Sequence, residues 1–158
     1  MNVVTHLLNH PRWPLLIYPG VMEKPSSEAF EELFTRNQWP AAWRNGVHPF
    51  HHFHSNGHEA LGIYSGEVTV QFGVTEGKMS GVTLTAKPGD VIVLPAGTGH
   101  KKLSSKGALG VVGAYPDGQH PDTCRPGKNK LEAIVRVPLP ACDPVYGAGG
   151  PLFSHWRK

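Results

Sequence analysis

Apolar and polar residues alternate in short runs through the middle of the chain: Leu61 to Tyr64, Val68 to Phe72, Val82 to Thr85, Val91 to Leu94 and Leu109 to Ala114, with glycines between them. Such runs predict β-strands, and Leu15 to Tyr18 predicts another ahead of them. The period changes after Pro25-Ser26-Ser27. From Glu28 to Phe34, acids come early and apolar residues fall at helical spacing, which predicts an amphipathic helix over about 26–37 covering the strands from outside. Beyond Pro116, proline and glycine predict an extended wrapping tail over 116–158, with a short helix around Asn129 to Val135.

Composition agrees with many turns and short elements. The chain has 158 residues, 19 glycines and 15 prolines, with 39% hydrophobic and only 17% charged residues. This favours an all-β sandwich or barrel in one domain, 1–158, with its core at about 46–115 and extensions on both sides. The net charge of +3 and the pI near 9.0 come from scattered lysines and arginines. The densest group, Lys101, Lys102 and Lys106, has neither helix nor aromatic platform beside it, so it reads as a solvated face and no nucleic-acid partner is expected. No window reaches the length of a membrane span, and no basic start leads into an apolar core. The expectation is a cytoplasmic protein with no membrane partner. Cys124 and Cys142 lack zinc-ligand spacing and read as reduced thiols.

The unusual count is ten histidines, with His48, His51, His52, His54, His58 and His100 in or near the glycine-bounded core. In Phe50-His51-His52-Phe53-His54-Ser55-Asn56-Gly57-His58-Glu59, the Asn56-Gly57 pair signals a two-residue type I′ hairpin. That register sets His54 opposite Glu59 and His52 opposite Leu61, at about 4.5–5.5 Å between Cβ atoms. His52, His54 and Glu59 then share an inward face with Leu61 and Ile63, while His51, Phe53 and His58 point away. Burying two imidazoles and a carboxylate together is costly, and a divalent cation is the simplest species that satisfies them. His100 follows Pro95-Ala96-Gly97-Thr98-Gly99. A lone histidine after a turn is more often a surface or capping residue, and spacing alone does not place it against the others.

A resemblance places it. Gly46, five residues, His52-Phe53-His54, four residues, Glu59, six residues and Gly66 form one motif. Gly89, five residues, Pro95-Ala96-Gly97, two residues and His100 form the second. These spacings resemble the two motifs of the cupins. The resemblance implies a double-stranded β-helix (jelly-roll) barrel with one or two short peripheral helices, and one metal held by His52, His54, Glu59 and His100. Where the second cupin motif usually ends in asparagine, this chain has Ser104, which is not a ligand position. Alternation from His100 would also turn Lys102 inward; a bulge resetting the register is the expectation here. Asn37-Gln38-Trp39-Pro40, Trp43-Arg44-Asn45-Gly46, Val111 to Pro116, Asp143 to Gly147 and Gly150-Pro151-Leu152 are similar to the YjlB-type cupins, a bacterial group of single-domain proteins. A homodimer is implied as well, with the strand at Leu15 to Tyr18 taking part.

Three imidazoles and a carboxylate suit iron, manganese, nickel, cobalt, copper or zinc. In an octahedral site two positions stay open, and the net charge of about +1 favours an oxygen donor such as an enol, carboxylate or hydroxy-keto acid. Two functions follow: a metal-dependent dioxygenase or isomerase acting on a small oxygen-chelating molecule, with Glu59 as ligand and proton shuttle, or a non-catalytic cupin that binds or senses a small ligand around a structural metal. Phe50, Phe72 and Tyr64 read as packing residues, with Tyr64 on the outer face, and Arg44 as a buttress of its turn. His48 shares the inward parity of His52, and Cys124 reads as a packed thiol.

Overall fold

A computed structural model describes residues 3–74 and 81–158. Met1 and Asn2, the start of the terminus read above as lacking a leader, lie outside the described residues. The strands are β1 (Val4–His6), β2 (Leu15–Tyr18), β3 (Ala41–Asn45), β4 (Glu59–Phe72), β5 (Val82–Ala86), β6 (Val91–Leu94) and β7 (His100–Ala114). The helices are α1 (Ser27–Arg36), α2 (Leu131–Arg136) and α3 (Leu152–His155). Pairing runs β1-β2-β6-β4-β7-β3, with β5 also on β4, and each described pair is antiparallel.

The architecture turns on β4 and β7. β7 lies along one edge of β4 throughout, whereas the other edge is divided between β6, at Glu59 to Gly62, and β5, at Val68 to Phe72. Between these halves the register of β4 against β7 shifts twice, and Gly66 and Gly107 adopt φ of +71° and +72°. Bulges bend a strand, and glycine takes this backbone conformation without the Cβ clash that other residues meet. The bulge also reverses parity: Leu61 and Ile63 before it and Val68, Val70 and Phe72 after it all enter one core. Two predicted runs are therefore the halves of one long strand. At about 3.3 Å per residue a flat β4 would carry its two ends roughly 43 Å apart. Yet Glu59, which opens β4, lies 3.4 Å from His100, which pairs with Phe72 at its far end. The ladder is folded back on itself, giving the expected jelly roll, although the hydrogen bonding does not close into a full barrel.

Both faces of this sheet are covered. Leu15, Leu61, Ile63, Val70, Phe72, Ile92 and Val111 fill the inside. Leu16, Tyr18, Ala60, Val91, Val93 and Val112 face outward against α1 and the C-terminal tail. This double burial explains why β6 reads as a continuous apolar run and not an alternating one. α1 starts where Ser26 Oγ accepts the Ala29 N–H at 3.0 Å, and it buries Phe30, Leu33 and Phe34. Gly62 lies directly beneath the Phe30 ring; a Cβ there would come within 2.6 Å of it.

The tail carries α2 and α3 and is not simply extended. Asp143 fastens it: Oδ2 accepts from the Tyr18 hydroxyl at 2.6 Å and the Leu152 N–H at 3.0 Å, and Oδ1 accepts from the Val145 and Tyr146 N–H groups. Trp13 and Trp156 stack at 5.5 Å, so the two ends of the chain lie together. β1 and β3 carry too little alternation to be read from sequence. With β1 and β6 on its two sides, β2 is internal; among the described strands, β1, β3 and β5 each pair on one side alone. Among the described residues, no helix is long and apolar enough to cross a membrane.

Because Asp143 is fully buried and its acceptors are all engaged, Asp143→Ala strips partners from four donors at once. A loss of about 3 kcal/mol in urea unfolding is expected. A loss below about 1 kcal/mol, a typical single neutral hydrogen bond, would show that the carboxylate is not the fastening point.

Candidate metal centre

The first motif is not the predicted hairpin. Neither Asn56 nor Gly57 has the positive φ that a type I′ turn requires. Instead, His52 and His100 exchange backbone hydrogen bonds at 3.2 and 2.9 Å, and Phe53 does the same with Cys124 at 2.9 and 2.8 Å. The turn is held by the returning tail, where Asn56 Oδ1 accepts the Asp122 N–H and Gln119 Oε1 accepts the His58 N–H. Strands distant in sequence outcompete the local turn. The inward parity of His52 and His54 nevertheless survives, because both residues remain in extended chain with one residue between them.

The structure brings together the side chains of His52, His54, Glu59 and His100. The ring-nitrogen ligand atoms of the three histidines fall within 4.8 Å of one another, and Glu59 Oε1 lies 3.4 Å from Nε2 of both His54 and His100. Each imidazole has its Nδ1 against a backbone carbonyl: His52 on Phe50 at 2.9 Å, His100 on Thr98 at 3.0 Å, and His54 on Asp122. A carbonyl oxygen only accepts, so each Nδ1 carries a proton, and in the neutral imidazole that a metal binds Nε2 is then the lone pair. These carbonyls also fix ring orientation, as outer partners of metal-binding histidines do. The donor set fits a divalent transition cation.

Electrostatics match this arrangement. Burial lowers the His52 pKa, assisted by the charge of His100, to about 3. Burial also pulls His54 down, but Glu59 and the Asp122 carbonyl outweigh it and the net shift is upward. For Glu59, burial favours the neutral acid, and the His54 charge with hydrogen bonds from His100 and His54 reverses this, holding the carboxyl well below its usual range. A carboxylate is kept ionised where it would otherwise be neutralised.

These residues line an open cavity of about 410 Å³ together with Val47, Pro49, Leu61, Trp43, Asn45, His48 and Tyr115. One of its polar groups, Tyr115, escaped the sequence reading, and another, Lys102, was read as facing out. Tyr115 accepts from Trp43 Nε1 at 2.9 Å; burial first, then the Glu59 charge, raises its pKa and keeps the phenol protonated. The apolar run at Leu109 to Ala114 ends just before it, which was the available signal. Lys102 was expected to be turned out by a bulge, and this is corrected. His100, Lys101 and Lys102 pair in unbroken register with Phe72, Gln71 and Val70, and the extra residue is Leu103, one position too late. Lys102 therefore keeps the parity of His100 and lines the cavity.

Other residues have structural roles. Arg44 makes a two-pronged contact with Glu31 on α1, at 2.6 and 2.7 Å, as a buttress. His58, expected to point away, is fully buried; its Nδ1 accepts the Ala96 N–H, its Nε2–H donates to the Pro138 carbonyl, and burial lowers its pKa to about 3. Phe53 and Cys124 pack with Ala96, Ile134 and Val137, Phe72 is inner core, and Tyr64 packs on the outer layer. Ser104 is exposed.

Comparison with known proteins agrees with the fold and the two motifs. A family profile described as Cupin matches residues 43–122. The chain is 39% identical over 154 residues, 95% of this chain and 90% of the other, to the uncharacterized protein YjlB of Bacillus subtilis (strain 168). It therefore belongs to the cupin superfamily and, within it, to the YjlB type. Among solved structures it is similar to a DUF861 family protein from Thermotoga maritima, at 24% identity and a TM-score of 0.36, covering 63% of this chain and 96% of that one. It is also similar to Bacillus subtilis oxalate decarboxylase, at 18% identity and a TM-score of 0.43, covering 72% of this chain and 28% of the enzyme.

In the metal-free protein, His54 should titrate above 6.5 and His52 only at about 3. The raised His54 value contributes stability that is fully present below pH 6.5 and lost as pH rises through its folded value. His52 acts in the opposite sense, costing stability as pH falls from 6.5 toward 3, where the unfolded chain alone takes up the proton. An NMR titration of the imidazole ring signals checks both; His52 titrating near 6.5 would contradict the buried site.

Proposed function

We propose that His52, His54 and His100, through Nε2, and Glu59, through Oε1, hold one divalent transition metal, and that the protein is a metal-dependent enzyme of the dioxygenase or isomerase class acting on a small oxygen-chelating molecule. The observation that carries this reading is the set of backbone carbonyls fixing all three Nδ1–H groups, which leaves three lone pairs and a carboxylate oxygen around one point. An apolar or merely hydrogen-bonded core has no need of that arrangement. When bound, the ion would supply Lewis acidity toward a carbonyl oxygen or, if redox-active, electron exchange with dioxygen.

The chain's own groups take the remaining roles. The Tyr115 hydroxyl accepts from Trp43, so its own proton is free to point toward Glu59 or a substrate oxygen. Glu59, facing both His54 and the cavity, is placed to receive a proton from substrate. Buried Val47 and Leu61 give the wall an apolar part, and about 410 Å³ accommodates a small metabolite. The free edges of β1 and β3 support pairing into a homodimer.

Elemental analysis of untagged protein, purified without chelator, tests the reading against a His52→Ala, His54→Ala double variant. Roughly one metal equivalent in the native protein and none in the variant is expected. Iron or copper directs the assay to oxygen uptake with small enols, zinc or manganese to carbonyl isomerisation. Two metal-free proteins, even after reconstitution, would reject the enzyme and leave a small-ligand binding barrel.

Glu59→Gln tests the proton shuttle: the variant should retain metal on its three histidines while turnover drops by about 100-fold or more. Unchanged turnover in the metal-loaded variant would remove Glu59 from the chemistry.

A further inference from the structure

We propose that Lys102 is the anion anchor of the cavity, and that the molecule bound there carries a carboxylate at its end remote from the metal-chelating group. This rests on the metal reading above and adds to it the substrate class, a small dicarboxylate or an equivalent acid with a distal charge.

The backbone holds Lys102 inward. Its strand register is continuous from His100, and its N–H donates to the His48 carbonyl at 2.9 Å, so the residue is fixed from both neighbouring segments. The side chain is half-buried and lines the same cavity as the histidines. Among the described residues, no carboxylate lies within ion-pair distance of it. The one carboxylate on the cavity wall, Glu59, is already engaged by His54 and His100. Lys102 thus lines the cavity wall without a carboxylate partner, where a bulge one residue earlier than Leu103 would have turned it outward. A ligand anion supplies the missing charge.

The spacing sets the ligand's length. His100 and Lys102 are two residues apart on one strand, about 6.6 Å between Cα atoms. A molecule joining the histidine cluster to the ammonium therefore needs a spacer of a few carbons, which Val47 and Leu61 meet with apolar surface. A single flexible ammonium, with neither an arginine fork nor a nest of backbone N–H groups beside it, suits a singly charged carboxylate better than a phosphate. Outside the cavity lining, Arg125 lies 3.6 Å over the centroid of Phe50, whose ring stacks on the cavity residue His48, and so adds to the positive charge on this side of the protein. This favours the approach of an anion.

The test uses cobalt(II)-loaded protein, with cobalt content measured first and binding by calorimetry second. The probes are 2-oxoglutarate against 2-oxovalerate and oxaloacetate against 2-oxobutyrate, pairs that share a chelating head and differ in the distal carboxylate. The wild type should bind one of the dicarboxylates at least about 10-fold more tightly than its partner. Lys102→Met should erase that preference by weakening the dicarboxylate alone, with cobalt content unchanged, and Lys102→Arg should retain part of it. Equal affinities within both pairs, or a preference that survives in Lys102→Met, would overturn the anchor while the metal reading stands. Failure to take up cobalt would overturn both.

Discussion

The pairing of β4 with β7, bent at Gly66 and Gly107, is the constraint on which the rest of the molecule depends. One edge of β4 stays on β7 while the other passes from β6 to β5, so a single ladder supplies both walls of the jelly roll. The bend carries the start of β4 back over its own end. Without it Glu59 and His100 would belong to opposite ends of a sheet; with it they are 3.4 Å apart. The same parity reversal keeps Leu61, Ile63, Val68, Val70 and Phe72 in one core, so packing energy and site geometry depend on the same two glycines.

The site itself is maintained by peripheral backbone as much as by the sheet. The Asp122 carbonyl that orients His54 comes from the tail, and Asp122 also accepts from the Ser55 N–H at 2.8 Å. Cys124 pairs with Phe53 two residues further on. The segment bearing His52 and His54 is thus a strand completed by the tail on one side and by His100 on the other. Orientation of the imidazoles is secured by fixed carbonyl dipoles, an economical way to set tautomer and direction together in a buried place.

Polarity within the cavity is uneven. Glu59 faces the histidines, Tyr115 presents a protonated phenol held by Trp43, and Lys102 adds a cation beyond the histidine cluster. The apolar wall of Val47, Pro49 and Leu61 lies among these groups. Such a division is what the proposed ligand, with one oxygen-donor end and one charged end, would meet.

Local pattern was enough to determine much of this. The bounds of β2 and β6, the helix after Pro25, the short helix in the tail and the inward parity of His52 and His54 were all legible, because alternation and helical periodicity are properties of adjacent residues. The two motif spacings added His100 to His52, His54 and Glu59, by resemblance and not by geometry. What only the tertiary structure decided depends on distant partners. Asn56-Gly57 is no type I′ turn, because backbone from His100 and Cys124 competes for His52 and Phe53. His58 is a buried strut for the tail, because Ala96 and Pro138 satisfy both its ring nitrogens. Lys102 faces the cavity, because the bulge that would have turned it away lies at Leu103, a position fixed by the register of β4 against β7. Periodicity states which way neighbouring side chains alternate; where the alternation is interrupted is decided by the strand on the other side of the ladder.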